Sequence, residues 1–555
     1  MDTSGIINQL MALETQPIAA LQNQQTTNNN KQAAWLSLTT MLNTLQNAAQ
    51  AIENPATFMG TTASFTNGVA GNPSILNLNA TANIAPGSHG ITVGALAQQQ
   101  ETVGAQGYSS TTTAISGLTS LAITNTASGK TTAFNQTTLE GLQSAINAAN
   151  IGVRATVVNT AASGATPNYV MQLAAANSGA VNAFTVSTNG SASGAKTGTL
   201  DFANSASEAT SLGGSSAYAS AVDAALTVDG ISIKRSSNNI TDIIPGLSMS
   251  LTALGSGTIN LSNDVATTVK NITNFVAAYD SVTSFINAQE TYDPTAATQP
   301  PLFADSTLQT IQTTLQGVFS GAGTGIGNTS NAYGSMSDVG INTNYFQGNT
   351  ITVDTNALTQ ALQANPTALQ NLFTPSASGT GAASTYSFVS SLGNATPGVY
   401  ASTMDSAGIL TMQLKGAGAA VTMTNAGNGY FTGPAGSALD GVVLLASSTA
   451  AGTGTWTFSG GAALMVDARV KNFSSYNGGL ITTAENSLTQ NNQDLQTQIG
   501  RINARAAQMK TTLQQQFTNL EKQLASLQAQ GQYLTQQLNY LPGWTMPRTS
   551  NNSTA

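Results

Sequence analysis

The sequence predicts an α+β multidomain fold, with a terminal α-helical coiled-coil or bundle leg and two or more β-rich head domains. Two observations predict this class. Apolar residues recur with helical spacing near both ends of the chain, and Gly-, Ser- and Thr-rich stretches with short β-branched runs lie between them. The length of 555 residues is several times that of a usual single domain. We therefore expect several separate cores.

The amino-terminal segment carries a seam of residues spaced alternately three and four apart, as in a coiled coil. Its apolar members are Leu10, Leu13, Trp35, Leu38, Leu42 and Leu45. Between Leu21 and Trp35 the seam positions hold Gln, Asn and Lys, whose burial is costly unless each finds a hydrogen-bond partner. This stretch is not expected to form a stable helix alone.

The middle of the chain is expected to be mostly β from Thr61 to Thr258. The Asp229-Gly230 pair, flanked by two β-branched runs, predicts a hairpin with a type I′ turn. Thr138 is predicted to cap a helix that is followed directly by a strand, which makes this part a mixed subdomain.

Helical periodicity returns after this β-rich region. Apolar residues at helical spacing follow Val265, and Asp305 is a candidate cap for a second run. A third helix is predicted from a cap at Thr355 to Phe373, and a second β-rich block follows from Ser376.

The carboxy-terminal segment has the clearest helical pattern, because its apolar residues again alternate three and four apart. The predicted seam consists of Leu495, Ile499, Ile502, Met509, Leu513, Phe517, Leu520, Leu524, Leu527, Leu534 and Leu538. One long helix is expected from Glu485 to Leu541, where Pro542 and Gly543 stop it. We interpret the two ends of the chain as one long-range coiled coil whose outer part orders on assembly, and an internal bundle is an equally open alternative.

These patterns predict a series of segments along the chain. They are an N-terminal helical coiled-coil segment (1–60), a β-rich head region (61–258) with a nested subdomain (about 105–216), a helical segment packing on the leg (259–375), a second β-rich block (376–466), a C-terminal coiled-coil helix (467–541) and a disordered tail (542–555).

The composition excludes several functions. Only 7% of residues are charged, the net charge is −8, and the 15 Lys and Arg are scattered, so nucleic acid is not an expected partner. Cysteine is absent, which excludes disulfides, thiolate nucleophiles and Cys-ligated zinc. We expect no cofactor and no metal.

Candidate catalytic residues are sparse. His89 is the only histidine, and without an identifiable partner it is interpreted as a strand residue next to a Gly-rich turn. A pair of acidic residues with glycosidase-type chemistry is the most tenable enzymatic alternative. The run from Gly321 to Gly327 lacks the Lys-Ser/Thr ending of a P-loop and is interpreted as a loop. We predict that the protein is not an enzyme.

A series of motifs occurs in a fixed order along the chain. They are DTSGIINQLMALETQPI at 2–18, LTVDG at 226–230, IPGL at 244–247, PLFADS at 301–306 and QFTNLE at 516–521. Together they resemble the flagellar hook-associated protein 2 family, the filament cap or FliD family.

The resemblance implies a protein exported by the flagellar type III pathway and placed at the distal tip of the flagellar filament. It implies a homo-oligomeric ring, with a pentamer favoured and other ring sizes open, whose helical legs contact flagellin. New flagellin subunits would fold and insert beneath the β-rich heads. Hook–filament junction proteins and a flagellar export chaperone are further implied partners.

A second class of function stays open from the sequence. Ser/Thr/Gly-rich β domains also suit a secreted surface adhesin that binds a host or surface receptor. The start of the chain shows no basic segment followed by an apolar one, so export is expected without a cleaved signal peptide.

Overall fold

The computed structural model describes residues 3–539, except 70, 72, 82–83, 192–197, 215, 320–331, 345–347, 417 and 477. The chain divides into two compact units. The terminal unit comprises Met1–Glu53 and Asn271–Ala555, and the central unit comprises Asn54–Lys270. The finer domain boundaries expected from the sequence stay predictions. The Gly321–Gly327 loop, the expected helix end at Leu541 and the tail over 542–555 lie outside the described residues.

The central unit consists mainly of short strands. Its elements are β1 (Thr61–Asn67), β2 (Leu76–Ala80), β3 (Gly87–Ala95), β4 (Glu101–Val103), β5 (Leu121–Asn125), β6 (Thr131–Phe134), α2 (Leu139–Ala149), β7 (Val153–Asn159), β8 (Tyr169–Ala175), β9 (Phe184–Thr188), α3 (Ala206–Leu212), β10 (Ala217–Ala219), β11 (Ala224–Val228), β12 (Ile231–Arg235), β13 (Asn239–Ile240), β14 (Leu247–Leu251) and β15 (Gly255–Asn263). A single 3₁₀ turn, Ala180–Asn182, precedes β9.

These strands form four antiparallel sheets over two cores. The sheet orders are β1-β15-β3-β11-β12, β13-β14-β2, β10-β4-β8-β7 and β6-β5-β9. One core gathers the first two sheets, and Ile91, Leu226 and Ile259 are among its buried residues. The other packs α2 against the last two sheets through residues such as Leu142 and Met171. Burial alternates along strands such as β11, as expected for sheets with one covered face.

Two local predictions are confirmed in this unit. A two-residue turn joins β11 and β12, and positive φ angles of 51° at Asp229 and 82° at Gly230 fit a type I′ turn. The Thr138 side chain accepts a hydrogen bond from the backbone N–H of Gly141 and so caps α2.

The terminal unit combines long helices with a β-sandwich. Its elements are α1 (Thr3–Gln50), α4 (Val265–Glu290, which begins in the central unit), α5 (Ser306–Phe319), β16 (Ile341–Asn344), β17 (Thr350–Val353), α6 (Thr355–Ala364), α7 (Pro366–Phe373), β18 (Ser376–Gly381), β19 (Tyr386–Ser390), β20 (Gly398–Met404), β21 (Leu410–Leu414), β22 (Val421–Thr422), β23 (Thr424–Gly427), β24 (Tyr430–Thr432), β25 (Val443–Ala446), β26 (Gly452–Ser459), α8 (Ala462–Ser474) and α9 (Leu480–Asn539). The α+β class is thereby confirmed.

The β-sandwich spans residues 376–459 and lies between α7 and α8. Its sheets have the orders β18-β26-β20-β21-β22 and β19-β25-β24-β23, and all of their pairings are antiparallel. Its first and last strands pair with each other, so that Ser376 lies opposite Ser459. The chain therefore enters and leaves the sandwich at one place. There Gly461, at a φ of 67°, lies so close to the backbone of Thr374 that a Cβ atom would collide with it.

The single helix predicted from Thr355 to Phe373 is wrong, because the structure has two helices there. Pro366 cannot continue α6 and instead begins α7, while Asn365 accepts a hydrogen bond from the backbone N–H of Ala368. The cap of α6 is Asp354 rather than Thr355.

Candidate assembly surface

The two ends of the chain pack against each other as an antiparallel helix pair. Gln25 of α1 donates a hydrogen bond to Gln496 of α9 at 3.0 Å, and Gln32 donates to Thr489 at 3.0 Å. Residues that lie further along α1 therefore face residues that lie earlier in α9. Helix α1 is continuous through the polar stretch between Leu21 and Trp35. The amide groups that made this stretch doubtful from the sequence find partners on α9.

The predicted seam of α1 is buried only in its second half. The residues that are no more than 1% exposed are Trp35, Leu38, Leu42 and Leu45. In this half α1 contacts α8 as well as α9, so that several helices share one core. Packing of this kind contributes about 1.5–3 kcal/mol for each large apolar side chain.

Leu10 and Leu13 are exposed instead, by 37% and 68%. The inward positions near the start of α1 are Ile7, which is buried, and Glu14, which pairs with Arg505 of α9. When the alternating spacing is carried back from the buried second half, it reaches Ile7, Leu10 and Glu14. Of these three, Leu10 is the one that the structure leaves exposed. Any part that Leu10 and Leu13 have in assembly stays a prediction.

The predicted seam of α9 changes from buried to exposed along the helix. Leu495 and Ile499 are buried, and Ile502, Leu513 and Phe517 are half-buried. The exposed members are Met509, Leu520, Leu524, Leu527, Leu534 and Leu538, with 39% to 64% of their surface accessible. Within the described chain this last part of the seam is not covered, which is the arrangement expected of a helix face that packs against another molecule.

A cleft of about 480 Å³ lies where α1 begins beside α9. Its lining consists of Ser4, Ile7, Asn8, Lys510, Gln514, Phe517, Thr518 and Glu521. The groups are mostly polar and include no arrangement of acid and base that suggests a reaction. Phe517, a half-buried member of the predicted α9 seam, is part of this lining.

A buried carboxylate fixes α8 to the end of α1. Asp467 is 2% exposed and accepts hydrogen bonds from Gln46 at 3.0 Å and Gln50 at 2.9 Å. Lys471, one turn further along α8, pairs with it at 2.5 Å. Burial and the nearby charge of Asp467 raise the pKa of Glu53 to about 7.

The raised pKa of Glu53 predicts that the contact between α8 and the end of α1 weakens as the pH rises. In the folded state Glu53 keeps its proton up to about pH 7, whereas in the unfolded chain it loses the proton near pH 4.5. The free energy of unfolding therefore falls as the pH rises from 4.5 to 7, and above pH 7 it falls no further on account of Glu53. We expect Glu53→Gln to raise the stability of the terminal unit by about 1–2 kcal/mol at pH 8, less than the full shift implies because Glu53 is only half-buried. At pH 4 the effect should vanish.

Thermal melting followed by the helix signal in circular dichroism at pH 4 and pH 8 measures this difference. Glu521→Gln, at an exposed position of α9, is the matched control. Equal effects of the two substitutions at pH 8 would contradict the assignment.

His89 does have a partner, contrary to the expectation from the sequence. It lies in β3, and its Nδ1 is 2.7 Å from a carboxylate oxygen of Asp229, whose other oxygen accepts the backbone N–H of Gly90. These bonds hold the pKa of Asp229 below its usual range. The pair joins β3 to the turn after β11. Among the described residues, no three His, Asp or Glu side chains converge as metal ligands.

Comparisons with known proteins identify the family. Two family models, described as the N-terminus and the C-terminus of flagellar hook-associated protein 2, match residues 1–100 and 221–529. The chain belongs to the flagellar hook-associated protein 2 family. The B-type flagellar hook-associated protein 2 of Pseudomonas aeruginosa is 26% identical over 67% of this chain and 78% of that protein. The flagellar hook-associated protein 2 of Escherichia coli O157:H7 is 27% identical over 65% and 76%.

One further relative aligns over a shorter stretch of this chain. The Salmonella typhimurium protein is 26% identical over 42% of this chain, and the aligned part spans about half of that protein, 48%. A crystal structure of three domains of the flagellar cap protein FliD from Escherichia coli aligns with 62% of this chain and 90% of the solved chain, at a TM-score of 0.48 and 25% identity. No described helix has the length and hydropathy of a membrane span.

Proposed function

We propose that this protein caps the flagellar filament, as an oligomeric ring at the distal tip that promotes folding and insertion of exported flagellin. The observation that carries the proposal is the match of both family models, which together include α1 and most of α9. These are the helices that form the antiparallel pair. The protein would leave the cell through the flagellar export channel with an export chaperone, and would take its place beyond the hook–filament junction proteins.

The structure suggests how such a cap holds the filament. The exposed part of the α9 seam, between Leu520 and Leu538, is not covered by any part of the chain that the structure describes, and it would bury apolar surface against another molecule. A single contact of this kind is weak, but several legs in one ring act together and keep the cap attached while individual legs release. We propose flagellin and neighbouring copies of the chain as the molecules in contact.

The low charge of the surface suits the same function. Only 7% of residues are charged, so copies of the chain repel one another little when they pack side by side. Five copies are the ring size that we propose.

Deletion of the gene tests the proposal directly. Cells without this protein should still export flagellin but release it as monomer into the medium, because subunits diffuse away before they join the filament. Filament length and flagellin in the culture supernatant are the two measurements.

Complementation supplies the controls for this test. The full chain should restore filaments, whereas a version without Met1–Gln50, which lacks all of α1, should not. Filaments of normal length with no excess monomer in the deleted strain would refute the capping function and favour the surface adhesin.

A further inference from the structure

A layer of amide side chains interrupts the apolar contact between α1 and α9. We call it the amide layer, and it consists of Gln25, Asn28, Asn29, Gln32, Thr489, Asn492 and Gln496. On one side of it lies the buried half of α1 that begins at Trp35. On the other side lies a two-helix rod, residues 3–24 of α1 with residues 497–517 of α9. The layer therefore stands where a multi-helix core gives way to two helices.

The hydrogen bonds of the amide layer centre on Asn492. Its side-chain oxygen accepts a hydrogen bond from Asn28 at 3.1 Å, and its Nδ2 donates to Asn29 at 2.9 Å. Gln25 donates to Gln496 at 3.0 Å and approaches the backbone oxygen of Asn492 at 3.4 Å. Asn28 and Asn492 are half-buried seam residues, so their amides face each other inside the contact.

A shift of one heptad would break these pairs. The antiparallel register places Asn28 opposite Asn492, and a shift by seven residues would place Asn28 opposite Ile499 or Asn492 opposite Leu21. An amide that faces an apolar side chain loses its partner, which is costly in a covered site. If the seam held only apolar residues, a shift of one heptad would place apolar side chains against other apolar side chains. Such a seam would therefore oppose the shift only weakly.

The rod beyond the amide layer is weakly held. Its buried side chains among the described residues are Ile7, Ile499 and Ala506. Pro17 lies inside α1 and removes one backbone hydrogen bond of the helix. Segments with few buried apolar contacts open most readily. After such a rod opens, α1 and α9 return to the same register only if some contact between them specifies that register.

We propose that the amide layer is a register lock for the α1–α9 pair, so that the rod opens and closes without shifting along its partner. Asn28 and Asn492 are its central residues. Reversible opening would let individual legs release from the filament tip one at a time, and this role rests on the proposed capping function. The register lock itself does not, because it is a property of the isolated chain.

Cysteine cross-linking of the purified full chain measures the register, and the natural absence of cysteine leaves no background. Ile18→Cys with Ile502→Cys reports the register of the structure. Ile18→Cys with Leu495→Cys or with Met509→Cys reports a shift of one heptad in either direction. In the otherwise unchanged chain we expect the first pair to form disulfides at least about tenfold faster than the other two.

Asn28→Leu with Asn492→Leu should reduce this preference at least about fivefold, because apolar side chains accept either register. The matched control is Asn30→Leu with Asn491→Leu, two exposed positions on the same helices, and it should keep the preference. An unchanged preference in the first variant would overturn the proposal.

Hydrogen exchange of the rod amides gives an independent measurement. Asn492→Leu alone leaves Asn28 without its partner and should speed exchange about fivefold or more, whereas the double substitution should return exchange to the original rate or slower. Equal acceleration by both variants, or loss of protection along both helices in the double variant, would contradict a register lock. None of these measurements involves flagellin, so a failed capping function would leave them unaffected.

Discussion

Leu520→Asp combined with Leu524→Asp is expected to abolish filament growth while the stability of the isolated protein stays within about 0.5 kcal/mol of the original. The two leucines are 48% and 46% exposed, so the chain itself gains little from them. Each would gain about 1.5–3 kcal/mol when buried against another molecule, and a carboxylate in that contact would also be desolvated. In the proposed ring several legs would act together, so the loss would multiply over the ring.

The matched control places the same charges on the opposite face of α9. Gln515→Asp with Ser526→Asp changes two exposed residues that lie two positions beyond members of the seam. Filament length in cells and thermal unfolding of the purified proteins separate assembly from stability. Normal filaments in the leucine variant would show that the exposed seam has no part in capping.

Trp456→Ala should destabilise the β-sandwich by about 3–5 kcal/mol and unfold it at physiological temperature. Trp456 has no exposed surface, and its ring stacks on Phe458 at 5.6 Å and lies 6.2 Å from Tyr400. The central unit has separate cores, so its melting should not change. Hydrogen exchange across residues 376–459 measures the loss.

Trp456→Phe is the control for this prediction. The indole Nε1 is buried and has no hydrogen-bond partner among the described residues. Phenylalanine removes this uncompensated N–H while it keeps most of the ring, so the two effects oppose each other and the net change should stay below about 1.5 kcal/mol. Similar losses for Ala and Phe would mean that the indole itself, and not its apolar volume, holds the core.

Local rules predicted much of this fold from the sequence. The hairpin at Asp229-Gly230 and the cap at Thr138 depend on a few neighbouring residues, and both are confirmed. The α9 seam could be found because its apolar spacing is nearly unbroken. The break at Pro366 could also have been found, since proline cannot continue a helix.

Contacts between distant residues could not be predicted in the same way. The polar side chains Asn28 and Gln32 of α1 find their hydrogen-bond partners on α9, more than 450 positions away. Likewise, the partner of His89 is 140 residues further along the chain. Such pairings follow from tertiary structure, and no local pattern of residues reveals them.

Because Ser376 and Ser459 are adjacent, a change within the sandwich need not alter the helices. A domain whose two ends meet can be enlarged, exchanged or lost in evolution at a cost confined to its own attachment, while residues near Gly461 must keep their shape. The same junction offers engineers a grafting point, where an unrelated domain with closely spaced ends would replace the native one without a change in the length or pairing of α1 and α9.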